Sequence, residues 1–485
     1  VGTGNNFAQG NLGNDTIVAT GATTESNTLL GGQGDDNITG GAGNDILSGD
    51  LGNDTVTGNG GNDSIAGVDG NDSLVGGAGN DTIDGGLGND TILGGAGSNS
   101  LTGGNGNDSI DLAGGATATN FVEAGIGNDT ITATGASVDT LLGGQGNDLI
   151  TSSGGGNDFI NGNLGNDTII STGTAAGDVQ KLFGEDGDDS INASGGGQFN
   201  IDGGTGDDTI SSGAGADTIT GGDGNDAITD AGGKNNIDGG LGNDSFTLSG
   251  VASTDNSTVT GGAGNDTITT AATAAADNLN GGDGNDSINT TGATGNMTLS
   301  GGIGNDSIVG GLGKDVIDAG DGNDSIDAGA GNDTITGGLG NDTIHGGTGT
   351  DILTGGGGGD LFQFTAGDSQ VVGGTSTPTT GIDQIRDWTG GTTAAPTNFL
   401  HFGPIGAGLA AGSLSNYSET TGTDFNDAVA QANSHLGLGL YVAVQVGSDV
   451  VVFADTNASG SITTADDAVT LVGKTLSDID FSNVI

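Results

Sequence analysis

Along most of the chain, single aliphatic residues stand in polar surroundings at a fixed interval. Ile38, Leu47, Val56, Ile65, Leu74, Ile83 and Ile92 follow one another every nine residues, most of them directly after Ser, Thr or Asn. That interval fits neither the helical period of about 3.6 nor the sustained alternation of a long amphipathic strand. It fits a strand of three residues, x-U-x with U aliphatic, followed by a turn of six. One such unit has almost nothing to bury; stacked copies bury a continuous, thin core. The pattern runs from about residue 10 to residue 362 and predicts an all-β solenoid.

Between residues 108 and 306 the turns lengthen in places, as in DLAGGATATN and TTAATAAADN. The aliphatic ladder continues through them. Val122 stands nine residues before Ile131, Leu141 before Ile150, Leu182 before Ile191 and Ile201 before Ile210, and Val259, Leu279 and Leu299 continue the series. The solenoid is therefore expected to persist across the region.

The turns bring in chemistry. The stretch GGQGDDNITGGAGNDILSGD shows the unit G-G-x-G-x-D-x-U-x, with one aspartate in each turn. Glycine allows positive φ and close backbone approach. The chain holds 109 Gly, 62 acidic residues and five basic ones, for a net charge of -57. Such a charge in a glycine-rich chain ordinarily marks disorder, but disorder needs no nine-residue phase. Bound cations are the other way to hold these carboxylates together. Only Lys181, Lys234, Lys314, Arg386 and Lys474 are available to meet phosphates, so nucleic acid is excluded as a partner. Anionic membrane surfaces are disfavoured, and no apolar run reaches the roughly 20 residues of a membrane span. Cysteine is absent, so neither disulfides nor thiolate metal sites contribute. The chain opens in repeat-like sequence (GTGNNFAQGNLGNDT) with no Met, so processing or further sequence upstream is expected.

The repeated unit resembles the RTX (hemolysin-type) nonapeptide, which the family uses to bind calcium. The resemblance implies a long right-handed parallel β-roll, two units to a coil, with many calcium ions between stacked turns and a β cap at the C-terminal end. Calcium takes six to eight hard oxygen ligands, more than one turn supplies, so each ion ties neighbouring turns together. The core is too thin to offset chain entropy and carboxylate repulsion, so calcium is expected to supply much of the folding free energy.

Numbering the aliphatic positions from Ile17 separates the turns by parity. Every odd turn keeps its aspartate: Asp15, Asp36, Asp54, Asp72, Asp90, Asp108, Asp129, Asp148, Asp167, Asp189, Asp208, Asp226, Asp244, Asp266, Asp286, Asp306, Asp324, Asp342 and Asp360. The even turns keep theirs at Asp45, Asp63, Asp81, Asp158, Asp217, Asp315, Asp333 and Asp351, and every long loop falls among them. In a two-turn coil the parities lie on opposite edges. One edge is then expected to carry an unbroken calcium row. The other carries two islands, Asp45–Asp63–Asp81 and Asp315–Asp333–Asp351, while Asp158 and Asp217 lack aspartate neighbours and hold empty or weak sites.

On the odd edge the third turn position often alternates apolar with polar: Leu12, Gln33, Leu51, Asp69, Leu87, Asn105, Ile126, Gln145, Leu164, Asp186. This reads either as a contact stripe or as local turn packing. Only Thr205 supplies a threonine at that position of the odd turns, so a regular threonine array for ice binding is set aside.

Composition shifts after Asp360, giving 1–362 as the calcium-binding roll and 363–485 as the cap. LYVAVQV and DVVVFAD read as hairpin strands, and the segments FQF, GIDQIRDW and LVGKTLSDIDFSNVI resemble an RTX cap. In type I secreted RTX proteins the export signal lies at this extreme end. The loop DTNASGSITTAD places Asp455, Asn457, Ser459 and Asp466 at EF-hand-like ligand positions with Gly460 between, although Asp466 stands where an EF-hand has Glu and the flank is a strand. A further calcium loop and an Asx-rich turn are both open there. His345 reads as a surface residue of a repeat strand, and His401 and His435 fall in the cap. No HExxH, GxSxG or P-loop accompanies them, so an enzyme is not expected.

Two functions fit. One is a structural protein of the bacterial cell surface, extracellular, resembling RTX surface-layer and oscillin-like fibril proteins, exported by type I secretion machinery and self-associating into a lattice or fibril. The other is the secretion and folding module of a larger RTX adhesin, toxin or hydrolase.

Overall fold

A computed structural model of the chain describes residues 4–19, 25–113, 118–173, 177–249, 256–270, 276–365, 368, 383–387, 399–402, 417–422, 428–432, 441–446, 448–454, 467–472, 474 and 476. They fall into two compact units, Val1–Leu241 and Gly242–Ile485.

In the first unit successive strands alternate between two parallel sheets. One sheet places Thr28–Gln33, Ile46–Leu51, Ser64–Asp69 and Thr82–Leu87 side by side, with Leu29, Leu47, Ile65 and Ile83 in register. The other pairs Ile38 with Val56, Val56 with Leu74 and Leu74 with Ile92. The register holds through the lengthened turns, where Val122, Leu141, Ile160, Leu182 and Ile201 stack in order. These aliphatics are buried and face each other across a core one side chain deep. The fold is the parallel β-roll that the nine-residue period implies.

The strands are longer than the period suggested. Ile46–Leu51 and Thr82–Leu87 each run six residues, through x-U-x and on across the glycine pair. The parallel ladder does not need side chains, so it continues where glycine's low strand preference would end it.

The second unit repeats the arrangement. Thr258–Ala263, Asn278–Asp283, Thr298–Ile303 and Val316–Asp321 form one sheet, and Thr267–Thr270, Ser287–Asn289, Ser307–Val309 and Ser325–Asp327 belong to the other. Strands that follow the repeats add to both sheets. Asp383–Ile385 adds beside Ile352–Gly357, and Phe399–Phe402 beside Leu361–Phe364. Tyr441–Val446 and Asp449–Ala454 form an antiparallel pair, and Asp467–Leu471 joins that pair to Asp383–Ile385. Val442, Val444, Val451 and Phe453 pack there against Ala428, Ala432 and Ala468. This covers a sheet edge with paired backbone, as an edge strand requires. His435 and the loop 455–466 lie outside the described residues, as do the side chain of His401 and most of 363–398.

Candidate metal centres

Each odd turn carries its aspartate side chain into the edge of the roll; Asp15, in the first turn, is half-buried, and from Asp36 onward the side chain is almost fully buried. The carboxylates form one hydrogen-bonded series. The backbone N–H of Asp36 donates to Asp54 Oδ1 at 2.7 Å, that of Asp54 to Asp72 Oδ1 at 2.7 Å, and so on coil by coil to Asp226. A second series of the same kind runs from Asp244 to Asp360 in the second unit. Oδ1 thus holds the coils together. Oδ2 has another fate. In Asp36, Asp54, Asp72, Asp90, Asp108, Asp129, Asp148, Asp167, Asp189 and Asp208, and again in Asp266, Asp286, Asp306, Asp324 and Asp342, it is buried and accepts no hydrogen bond.

The first glycine of the turn explains the space around that oxygen. A Cβ on Gly31 would lie 2.3 Å from Asp36 Oδ2 and 2.5 Å from the carbonyl oxygen of Gly49 in the next coil. One on Gly203 would lie 2.2 Å from Asp208 Oδ2 and 2.5 Å from Gly221 O. Gly31 and Gly203 need no unusual φ; what matters is the missing side chain, which leaves a cradle lined by a carboxylate oxygen and a carbonyl oxygen. The fourth position is glycine for a different reason. Gly70 adopts φ +135°, and a Cβ there would lie 1.8 Å from Gly52 O.

Electrostatics point the same way. Burial pushes the carboxyls of Asp108 and Asp129 up to about 6 and those of Asp167, Asp189 and Asp208 to about 7. The backbone N–H that each accepts opposes the rise, and the neighbouring carboxylate of the row adds to it. Among the described residues, Asp36 through Asp208 and Asp266 through Asp342 of this row have no ion pair with a protein cation; the pairs of His345 are with Asp327 and Asp368, outside the row. No three His, Cys, Asp or Glu side chains converge there either, which leaves backbone carbonyls to complete any coordination shell. Buried carboxylate plus carbonyl oxygen is the donor set of a hard divalent cation such as calcium. Bound there, such an ion supplies the positive charge that lets paired carboxylates stay ionised.

The even edge departs from expectation in two ways. First, its aspartate row is longer. Asp139 N–H donates to Asp158 Oδ1 at 2.9 Å, so Asp158 does have an aspartate neighbour; Asp277 and Asp383 hold corresponding places, Asp383 accepting from Asp351 N–H at 2.9 Å. Their x-D-x-U spacing is intact, but lengthened loops shifted the glycines that mark the turn. Asp217 does stand between Phe199 and Asn235.

Second, the cradle glycine is missing. Gly40, Gly58, Gly76 and Gly94 open the early even turns, but from there the same inward position holds Leu112, Ala133, Ser152, Ser171 and Ala193 in register. Ser212, Asp230, Leu248, Thr270 and Thr290 follow, Ser212 Oγ donating to Asp230 Oδ1 at 3.0 Å, and glycine returns only at Gly310 and Gly346. The odd edge keeps its glycine apart from Ala124 and Ala319. Side chains now do what a cation would. Ser152 Oγ donates to Asp158 Oδ2 at 2.6 Å, and Ser137 Oγ to Asp139 Oδ2 at 2.8 Å. Even Asp45 and Asp315 have Oδ2 held by the N–H groups of Gly41 and Gly311, whereas Asp63, Asp81 and Asp333 do not.

His345 is not a simple surface residue. Its Nδ1 lies 3.0 Å from Asp327 Oδ1 and its Nε2 2.8 Å from Asp368 Oδ2. Those two hydrogen bonds push its pKa up to about 10, so it is an imidazolium pinning the strand Thr343–His345 to the segment beyond the last coil.

A family model for the RTX calcium-binding nonapeptide repeat matches residues 1–169, 180–197, 200–246 and 251–362. The gaps fall at lengthened even turns, where the glycine cradle is also lost. No curated relative matches the chain. Repeat, register and cradle agree with that match, and the chain belongs to the RTX calcium-binding repeat family.

Proposed function

We propose that the chain is a calcium-stabilised structural protein of the bacterial cell surface, a surface-layer or fibril subunit that folds and assembles in external calcium. The observation that carries this reading is the row of buried carboxylates with orphaned Oδ2 atoms, uninterrupted from Asp36 to Asp208 in the first unit and from Asp266 to Asp342 in the second. Extracellular calcium modules bind at roughly 10⁻⁴–10⁻³ M, far above cytosolic calcium. Such a row keeps the chain unfolded inside the cell, suits passage through a narrow type I secretion channel, and drives folding outside. The odd-edge aspartates from Asp15 to Asp360 hold the ions wherever the first glycine leaves the cradle open. On the even edge the ions sit where that glycine survives, at Asp45, Asp63 and Asp81 and at Asp315 and Asp351, with Asp333, whose cradle position is Ala328, between the last two. The acidic residues are occupied structurally, leaving a roll that builds rather than catalyses.

The test has two parts. Circular dichroism with excess chelator should lose the β signal, and retention of that signal sinks the calcium-dependent fold. Electron microscopy of purified protein in millimolar calcium should show ordered arrays or fibrils. A strictly monomeric protein supports instead the secretion and folding module of a larger RTX protein.

A further inference from the structure

The first unit carries a stripe that calcium binding does not use. At the third turn position of its odd turns, Leu12, Leu51, Leu87, Ile126 and Leu164 remain 42% to 74% exposed. Strand register places one polar residue between each pair: Gln33, Asp69, Asn105 and Gln145. The result is a line of aliphatic pegs at every second coil with polar notches between them. The notch at Gln145 is a cavity of about 410 Å³, walled by Ile126, Leu142 and Leu164 and floored by Gly144 and Asn163. Unlike singly scattered exposed aliphatics, these five stand in one line at alternate coils.

The spacing selects a partner. Parallel strands lie about 4.8 Å apart, so the pegs repeat at about 9.6 Å. A polyproline II helix rises about 3.1 Å per residue with three residues per turn, repeating at about 9.3 Å. Over the four intervals of the stripe the mismatch is only about 1.2 Å. An α-helix presenting every seventh residue repeats at about 10.5 Å and drifts by about 3.6 Å over the same length. A β-strand presents one face every ~6.6 Å and fits neither one coil nor two. A polyproline II segment also leaves its backbone C=O groups unpaired, and the amides of Gln33, Asn105 and Gln145, exposed between the pegs, supply donors for them.

Charge completes the description. Asp35, Asp69, Asp84 and Asp186 are exposed on this unit, and its basic residues are Lys181 and Lys234. At this face a second copy would set exposed carboxylates against exposed carboxylates, so self-assembly uses another surface and the occupant here is cationic. We propose that the stripe from Leu12 to Leu164 is a docking surface for a basic, proline-rich extended segment that presents an apolar side chain at every third residue.

The test uses the calcium-loaded full chain and a fluorescently labelled peptide of five Leu-Pro-Lys repeats. The control peptide has the same residues in an order that breaks the three-residue period. Anisotropy titration should give a Kd at least tenfold lower for the repeat peptide. The triple variant Leu51→Ser, Leu87→Ser, Ile126→Ser removes only exposed side chains, and its circular dichroism should match the parent; the tenfold preference should vanish in it. A peptide of five Leu-Pro-Glu repeats should not bind. Equal affinity for the repeat and reordered peptides overturns the proposal, as does a triple variant that keeps the preference or binding of the acidic peptide.

Discussion

Replacing Gly203 with alanine isolates the cradle from every other feature of the turn. The new Cβ would stand 2.2 Å from Asp208 Oδ2 and 2.5 Å from Gly221 O, in the space between carboxylate and carbonyl, and the backbone conformation at that residue permits a side chain. Two costs follow. Overpacking of this kind costs about 1–3 kcal/mol at any calcium concentration. Loss of the ion costs what that ion contributes, RT ln(1 + [Ca]/Kd), about 2.7 kcal/mol at a hundred times Kd. With Kd near 10⁻⁴ M, that point is reached at about 10 mM calcium. The total is then about 4–6 kcal/mol at 10 mM. The signature is the calcium dependence rather than the size. One fewer ion makes the difference between parent and variant grow by about 1.4 kcal/mol for each tenfold rise in calcium. Denaturant unfolding followed by circular dichroism at 1, 3 and 10 mM calcium measures it. A destabilisation that stays constant across that range means the cradle holds no ion and the glycine serves packing alone.

Asp208→Ala should destabilise the first unit more than Asp217→Ala in 10 mM calcium, by at least about 2 kcal/mol on the same linkage; equal losses in parallel melts would remove the distinction between edges. Protons should stand in for the metal. Asp167, Asp189 and Asp208 titrate near 7 in the cation-free fold, above the roughly 3.9 of an unfolded chain. Protonation therefore favours that fold: the contribution is complete below about pH 4 and is lost as pH rises through 7. In chelator, acidification from pH 7.5 to 5 should restore β signal, and in calcium the folding midpoint should move to higher calcium over the same interval; a midpoint indifferent to pH contradicts the burial of these groups. Val68 adopts φ +90°, a conformation that penalises a β-branched residue by roughly 1–2 kcal/mol. Val68→Gly should therefore raise the melting temperature, and a lowered one would show that its side-chain contacts outweigh the strain.

The aliphatic ladder was legible because one buried side chain per nine residues fixes both strand position and register. Lengthened turns at 112–118 or 271–276 cannot disturb Val122 or Leu279 without emptying the core. The parity of the aspartates was legible for a related reason, since each edge stacks only on itself. Asp139, Asp277 and Asp383 escaped notice because the glycines around them are displaced, although each stands two residues before a buried aliphatic. The fate of the first glycine was also in the sequence, at Ser152, Ser171 and Ser212. Its meaning needed the geometry that puts this position against Oδ2. The pairing of His345 with Asp368 depends on how the chain folds back after the last coil, and no local pattern encodes it.

The central claim is that one edge of the roll is a calcium ladder and the other is a ladder only where its first glycine survives. An anomalous-scattering map of crystals grown in calcium tests it directly. The account predicts ions beside Asp36 through Asp208 and Asp266 through Asp342 on the odd edge, except at Asp129 and Asp324, where Ala124 and Ala319 occupy the cradle. On the even edge it predicts them only beside Gly40, Gly58 and Gly76 and beside Gly310 and Gly346. Equal anomalous density along both edges between residues 112 and 290 contradicts it.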